Sequence, residues 1–177
     1  MKFNPDLFKV PLKFGAFGGL LLSILLLILF FEGKHPLLIP IIIDFRLLAI
    51  PIFVFLATKE FRDYKNGRLL QYWQGMFLGF LCYFAMGIAT GIFILLFSAI
   101  NSEFLSEFIR ISMQQLVENK AEFIKSIGAE SYEANLAKLP FTTALDLSID
   151  YLLKTIVLGL LFTIIISVFL KRQPKKE

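Results

Sequence analysis

The 177 residues are 57% hydrophobic, 15% aromatic and 18% charged, with a mean hydropathy of +0.74 and a net charge of +4. A water-soluble domain of this length alternates apolar and polar residues to keep a wettable surface; the long uncharged runs here exclude that class and point to a membrane protein. One cysteine, Cys82, excludes a disulfide within the chain, and one histidine, His35, excludes a histidine-rich metal centre.

Residues 14–31 form the first uncharged run, 18 residues or about 27 Å as a helix, against a hydrocarbon core of ~30 Å. Lys2, Lys9 and Lys13 precede it, as in a signal peptide, but "LFFEGKHP" contains no small-residue cleavage site, so the run reads as a retained span. His35 follows Glu32 and Lys34 in a tight turn and reads as an ordinary exposed histidine.

The stretch "IIIDFRLLAIPIFVF" then places Asp44 and Arg46 in apolar surroundings. A straight helix from Leu37 would carry Arg46 close to the bilayer midplane, at about 2.5–3.5 kcal/mol. Pro40 would also interrupt its backbone ladder. A second span over about 44–61 removes both objections, with Asp44 as N-cap and residues 36–43 as an interfacial or re-entrant lead-in. Residues two apart on a helix face nearly opposite ways, so Arg46 is expected to pair with Asp150, Asp146 or Glu32.

A third span covers about 74–98, entered through Tyr72 and Trp73 in an interfacial position. Gly75, Gly79, Gly87 and Gly91 sit on a four-residue ladder whose missing rung is Tyr83. Such a groove admits a close neighbour helix. Packing within the chain, a homodimer face and a lipid or ligand groove all fit it.

Residues 101–140 form the one substantial polar segment before the last span. With Ser102 as N-cap, the pattern predicts an amphipathic helix to Ile127 whose apolar face carries Leu105, Phe108, Ile109, Met113, Leu116, Phe123, Ile124 and Ile127. Gly128 stops it, and "SYEANLAKL" predicts a short helix capped by Ser131. The charged face is mixed and slightly acidic, which suits covering the bundle or docking a protein better than binding lipid. The fourth span, about 150–170, opens with Asp146, Asp150 and Lys154 on one face, and Asp150 precedes Lys154 by four, the favourable order for an ion pair. Lys154 can snorkel to the headgroups.

The amino end, the link between spans two and three, and the tail carry eleven Lys and Arg against four acids (Asp6, Glu60, Asp63, Glu177). The rest of the chain carries seven basic residues and ten acids. The positive-inside rule puts both termini in the cytoplasm, the parity that four spans require. The expected architecture is a single all-α membrane domain over residues 1–177: a four-helix transmembrane bundle with a helical extracytoplasmic segment.

No phosphate loop, HExxH, dinucleotide fingerprint or nucleophile elbow is present, and no nucleic-acid module accompanies the basic links. No catalytic residue, cofactor or metal is expected.

Along "ATKEFRDYKNGRLLQYWQGMFLG", residues 57–79, the chain resembles a bacterial family of four-span membrane proteins, domain of unknown function 4199. The residues that carry the resemblance are Arg62-Asp63, Asn66-Gly67 and Trp73-Gln74-Gly75, with Gly79 four on. The resemblance implies a multi-pass protein of the bacterial inner membrane and no catalytic residue. The leading functional expectation is a non-enzymatic accessory or scaffold protein of the cell envelope. Its partners would be the lipid bilayer and either a second copy or an envelope membrane protein, with no nucleic acid. The alternatives are a small transporter or channel subunit using Asp44, Arg46, Asp150 and Lys154 as an outer-leaflet site, and a membrane partner of an envelope lipid or glycan enzyme.

Overall fold

The computed structural model describes residues 4–39, 44 and 48–173, and these contain seven α-helices and no β-strand. Helix α1 is Asp6–Phe31, α2 Ala49–Glu60, α3 Tyr72–Ile100, α4 Ser102–Glu118, α5 Lys120–Ile127, α6 Ala129–Lys138 and α7 Ala144–Leu170. Among the described residues, α1, α3 and α7 are long and apolar enough to cross a membrane. At 29 residues α3 is about 44 Å long, so it overreaches a ~30 Å core at its ends.

Helix α3 is the centre of the bundle, packed along α1 on one side and α7 on the other, with α2 touching all three. Its fully buried side chains Leu78, Cys82, Met86, Thr90 and Ile94 are spaced four apart and, with Tyr83 beside Cys82, supply the middle of the core. Lipid-facing residues on the outer helices stay apolar, as Phe17 and Leu20 on α1 and Val157 and Leu161 on α7 do.

The second expected span differs from its forecast. Helix α2 has 12 residues, about 18 Å, and begins at Ala49, with Leu48 as an N-cap that makes no side-chain hydrogen bond. Asp44 lies before it and is buried, and residues 45–47 between the two lie outside the described residues. A start at Ala49 suits Pro51. In a helix begun at Asp44 it would fall in the interior and break the ladder, whereas from Ala49 it lies in the first turn, where its missing N–H has no acceptor to serve. Past α2 the chain makes a π-turn over Phe61–Lys65.

The segment between α3 and α7 departs in three places. The cap of α4 is Asn101, not Ser102; its Oδ1 accepts from Glu103 N at 3.0 Å. The single helix expected to Ile127 breaks at Asn119, whose Nδ2 donates to the Gln115 carbonyl at 3.1 Å while its own carbonyl accepts from Glu122 and Phe123. An Asn that competes for backbone partners can end one helix and begin the next. Gly128 does stop α5, at φ +85°, but α6 starts directly after it, so Ser131 lies inside the helix rather than capping it.

Candidate functional site

Of the expected polar cluster, Arg46 lies outside the described residues, and with it the pairing forecast for it. Asp146 turns back on its own helix start: its Oδ2 accepts from Thr143 N at 2.8 Å and from Thr143 Oγ1 at 2.6 Å, while Thr143 Oγ1 accepts from Asp146 N. Lys154 Nζ sits 2.5 Å from Asp150 Oδ2, both side chains about half exposed. Asp146 and Asp150 are thus engaged within the first turns of α7 itself. A half-exposed pair of this kind contributes ~0.3–0.5 kcal/mol in water. Among the described residues no three His, Cys, Asp or Glu side chains converge so that they could hold a metal ion.

The glycine ladder of α3 meets a complementary ladder on antiparallel α7. Gly75 faces Ser167, Gly79 faces Thr163, and Gly87 faces Leu152 and Thr155. The missing rung has its answer here: Tyr83 projects over Gly159, the one glycine of α7, so a knob on α3 fills a hole in its neighbour. Between lipid tails no hydrophobic force drives helices together, and close backbone approach supplies dispersion contacts instead. The Thr163 and Ser167 hydroxyls, buried against Gly79 and Gly75, have no conventional hydrogen-bond partner. The glycine Cα–H groups opposite them are weak donors. Ser148 Oγ closes the seam by donating to the Gly91 carbonyl at 2.9 Å. Beside Gly87, Gly91, Ser148 and Leu152 a shallow apolar hollow of about 170 Å³ opens outward.

The reading of the sequence missed a second glycine set, on α1. Gly15 lies against the Cys82 carbonyl and Ala85, and Gly19 against Met86 and Ala89. Thr90 Oγ1 reaches the Gly19 carbonyl at 3.3 Å. The signal was the Gly15…Gly19 spacing itself.

At one end of the bundle the residues around Arg62–Gly75 build a clamp. Arg62 forks onto the neighbouring Asp63 carboxylate, with Nε 2.7 Å from Oδ1. Its Nη1 also donates to the Leu170 carbonyl at 3.4 Å, at the C-terminus of α7, where a cation complements the helix dipole. That contact with Arg62 holds the Asp63 carboxyl below its ordinary range. Gly67 and Arg68 turn the chain at φ +59° and +62°. Asn66 Nδ2 then donates to the Leu69 carbonyl at 2.8 Å and to Gln74 Oε1 at 3.2 Å, while Gln74 Oε1 caps α3 by accepting from Gln71 N at 2.9 Å. Leu70 and Arg172 exchange two backbone hydrogen bonds of 2.8 Å. Asn4 Nδ2 donates to the Lys65 carbonyl, and Lys13 Nζ lies 2.7 Å from Glu60. The start of α1, the α2–α3 link and the end of α7 therefore share one end of the bundle.

The opposite end is aromatic. His35, expected to be exposed, is buried: its Nε2–H donates to the Phe104 carbonyl at 3.0 Å, and its ring packs 4.7 Å from Phe104 and 5.4 Å from Phe108. Phe30 and Phe97 complete the cluster edge-to-face. Tertiary packing on Phe104, a residue absent from the expected apolar face of α4, overrides the polarity of the turn. The cluster fixes α4 to the ends of α1 and α3.

No curated protein and no solved structure matches the chain. A family model described as a protein of unknown function (DUF4199) matches residues 13–172, which takes in the Arg62–Gly75 clamp, both glycine seams and helices α4–α6, and the chain belongs to that family.

Proposed function

We propose that the protein is a non-enzymatic accessory or scaffold protein of the bacterial inner membrane, in which the bundle holds helices α4–α6 outside the cytoplasm for a protein partner. In this reading α2 is a fourth, short span, and both termini lie in the cytoplasm, as the excess of Lys and Arg at the clamp end favours. The observation that carries the reading is the apolar surface left at the extramembrane end. Ile100, Val117, Ile127 and Phe141 are exposed there, although the His35–Phe104 cluster anchors the base of the same segment. Side chains of this size, outside the spans and held on a fixed base, suit a protein contact better than water.

Photoreactive residues placed at Val117 and Phe141 in cells, with lipid-facing Leu161 as the comparison, test it. A discrete protein adduct from the first two sites and none from Leu161 is expected. A lone monomer in native lipid, with no adduct at either site, would end the scaffold reading.

A further inference from the structure

The clamp end also carries a cavity that neither the glycine seams nor the extramembrane helices use. It measures about 170 Å³ and is lined by Asp6, Lys9, Val10 and Lys13 of α1 with Glu60 and Lys65 across from them. At ~30 Å³ per water it has room for about five or six, enough for one phosphodiester group. Its charges are unevenly engaged. Glu60 holds Lys13 with two contacts, at 2.7 and 2.9 Å. Lys65 stands 4.0 Å from Asp6, at the outer limit of an ion pair, and Lys9 is exposed with no carboxylate partner among the described residues. Two ammonium groups can therefore take an anion without giving up a tight bond.

What continues from the cavity along the helices identifies the anion. On α1 the positions one and two turns past Lys13 are Phe17 and Leu20, each about 60% exposed, with Ile24 and Ile28 beyond. On α2 the positions behind Glu60 are Leu56 and Ile52, also exposed. A basic mouth thus opens onto apolar flanks that run in the direction of the bilayer. Free phosphate has no use for those flanks, whereas a phospholipid would lay its acyl chains along them. Basic pockets between membrane helices recognise headgroups in this way.

We infer that the mouth between α1 and α2, formed by Lys9, Lys13 and Lys65, binds the headgroup of an anionic phospholipid whose acyl chains lie against Phe17, Leu20 and Leu56. Native mass spectrometry of the full chain in neutral detergent, titrated with phosphatidylglycerol, phosphatidylcholine or inorganic phosphate, tests this. Phosphatidylglycerol is expected to be retained over phosphatidylcholine. Lys9→Gln should weaken that retention about fivefold and Lys9→Gln with Lys65→Gln further, while Lys34→Gln with Lys138→Gln at the other end changes nothing. Because Lys9 is exposed and free of ion pairs, its single variant retains the wild-type helical content, which circular dichroism checks. Equal retention of the two lipids would overturn the inference. So would an equal loss in the Lys34/Lys138 control, or displacement of phosphatidylglycerol by equimolar inorganic phosphate. None of these outcomes bears on whether α4–α6 dock a protein.

Discussion

A Cβ added at Gly159 would lie 2.3 Å from Tyr83 Cγ and 2.7 Å from Tyr83 Cβ. Those atoms are the rigid root of the ring, so neither can move aside. At Gly91 the nearest atom would be 3.6 Å away, an ordinary contact. Gly159→Ala is therefore expected to cost about 1–3 kcal/mol through overpacking. Gly91→Ala should stay within ~0.5 kcal/mol of wild type. Thermal unfolding of the detergent-solubilised protein, followed by Trp73 fluorescence, ranks the two, and an equal effect would mean the seam is looser than described. Pairing Gly159→Ala with Tyr83→Ala should cost less than the sum of the two changes, because the ring atoms of the clash are then gone and only the Cβ of residue 83, at 2.7 Å, remains to shift. Asp63 gives a second test. Its folded pKa is depressed below the ordinary 3.8 by Arg62, so the contact contributes fully above that value and is lost as pH falls through the lower folded one. Titration of the Asp63 carboxyl by NMR should give a midpoint under 3.8, and Arg62→Gln should return it towards 3.8.

Among the elements, the long apolar helices were legible because runs of uncharged residues admit no other reading, and the Tyr83 gap in the ladder was visible as an anomaly. Its explanation was not, since Gly159 stands on another helix and only the antiparallel register brings the two together. The start of α2 was readable in principle from Pro51, a stronger constraint than the capping preference of Asp44. The break at Asn119 was not, because an Asn inside an amphipathic pattern is neutral until its side chain finds the backbone. Gly128 marks the most fragile joint of the α4–α6 segment, with φ +85° and ψ 157°, a conformation reserved almost entirely for glycine. Gly128→Ala is expected to cost about 1–3 kcal/mol locally, seen as faster amide exchange across α5 and α6 with the protection of α1, α3 and α7 unchanged. Faster exchange throughout the bundle instead would mean that α5 and α6 unfold together with it.

At the scale of the whole molecule, everything functional depends on which end faces the cytoplasm. The clamp end gathers residue 4, the α2–α3 link and Arg172 by direct hydrogen bonds, so these three share one side whichever side it is. The two ends differ in charge, and translocation resists Lys and Arg far more than it responds to acids. The Lys and Arg of the clamp end hence argue for retention, while the mixed charge of α4–α6 is no barrier to crossing. Cys82 is fully buried at the centre of the bundle, so it offers a membrane-impermeant maleimide nothing to react with, and single cysteines can be read against a silent background. Glu133→Cys, on exposed α6, should label in intact cells. Asn66→Cys, in the link, should label only after the membrane is opened. The reverse pattern would invert the topology and move the lysine mouth to the outer leaflet. Labelling of both in intact cells would mean that α3, which lies between the two positions, does not cross the bilayer.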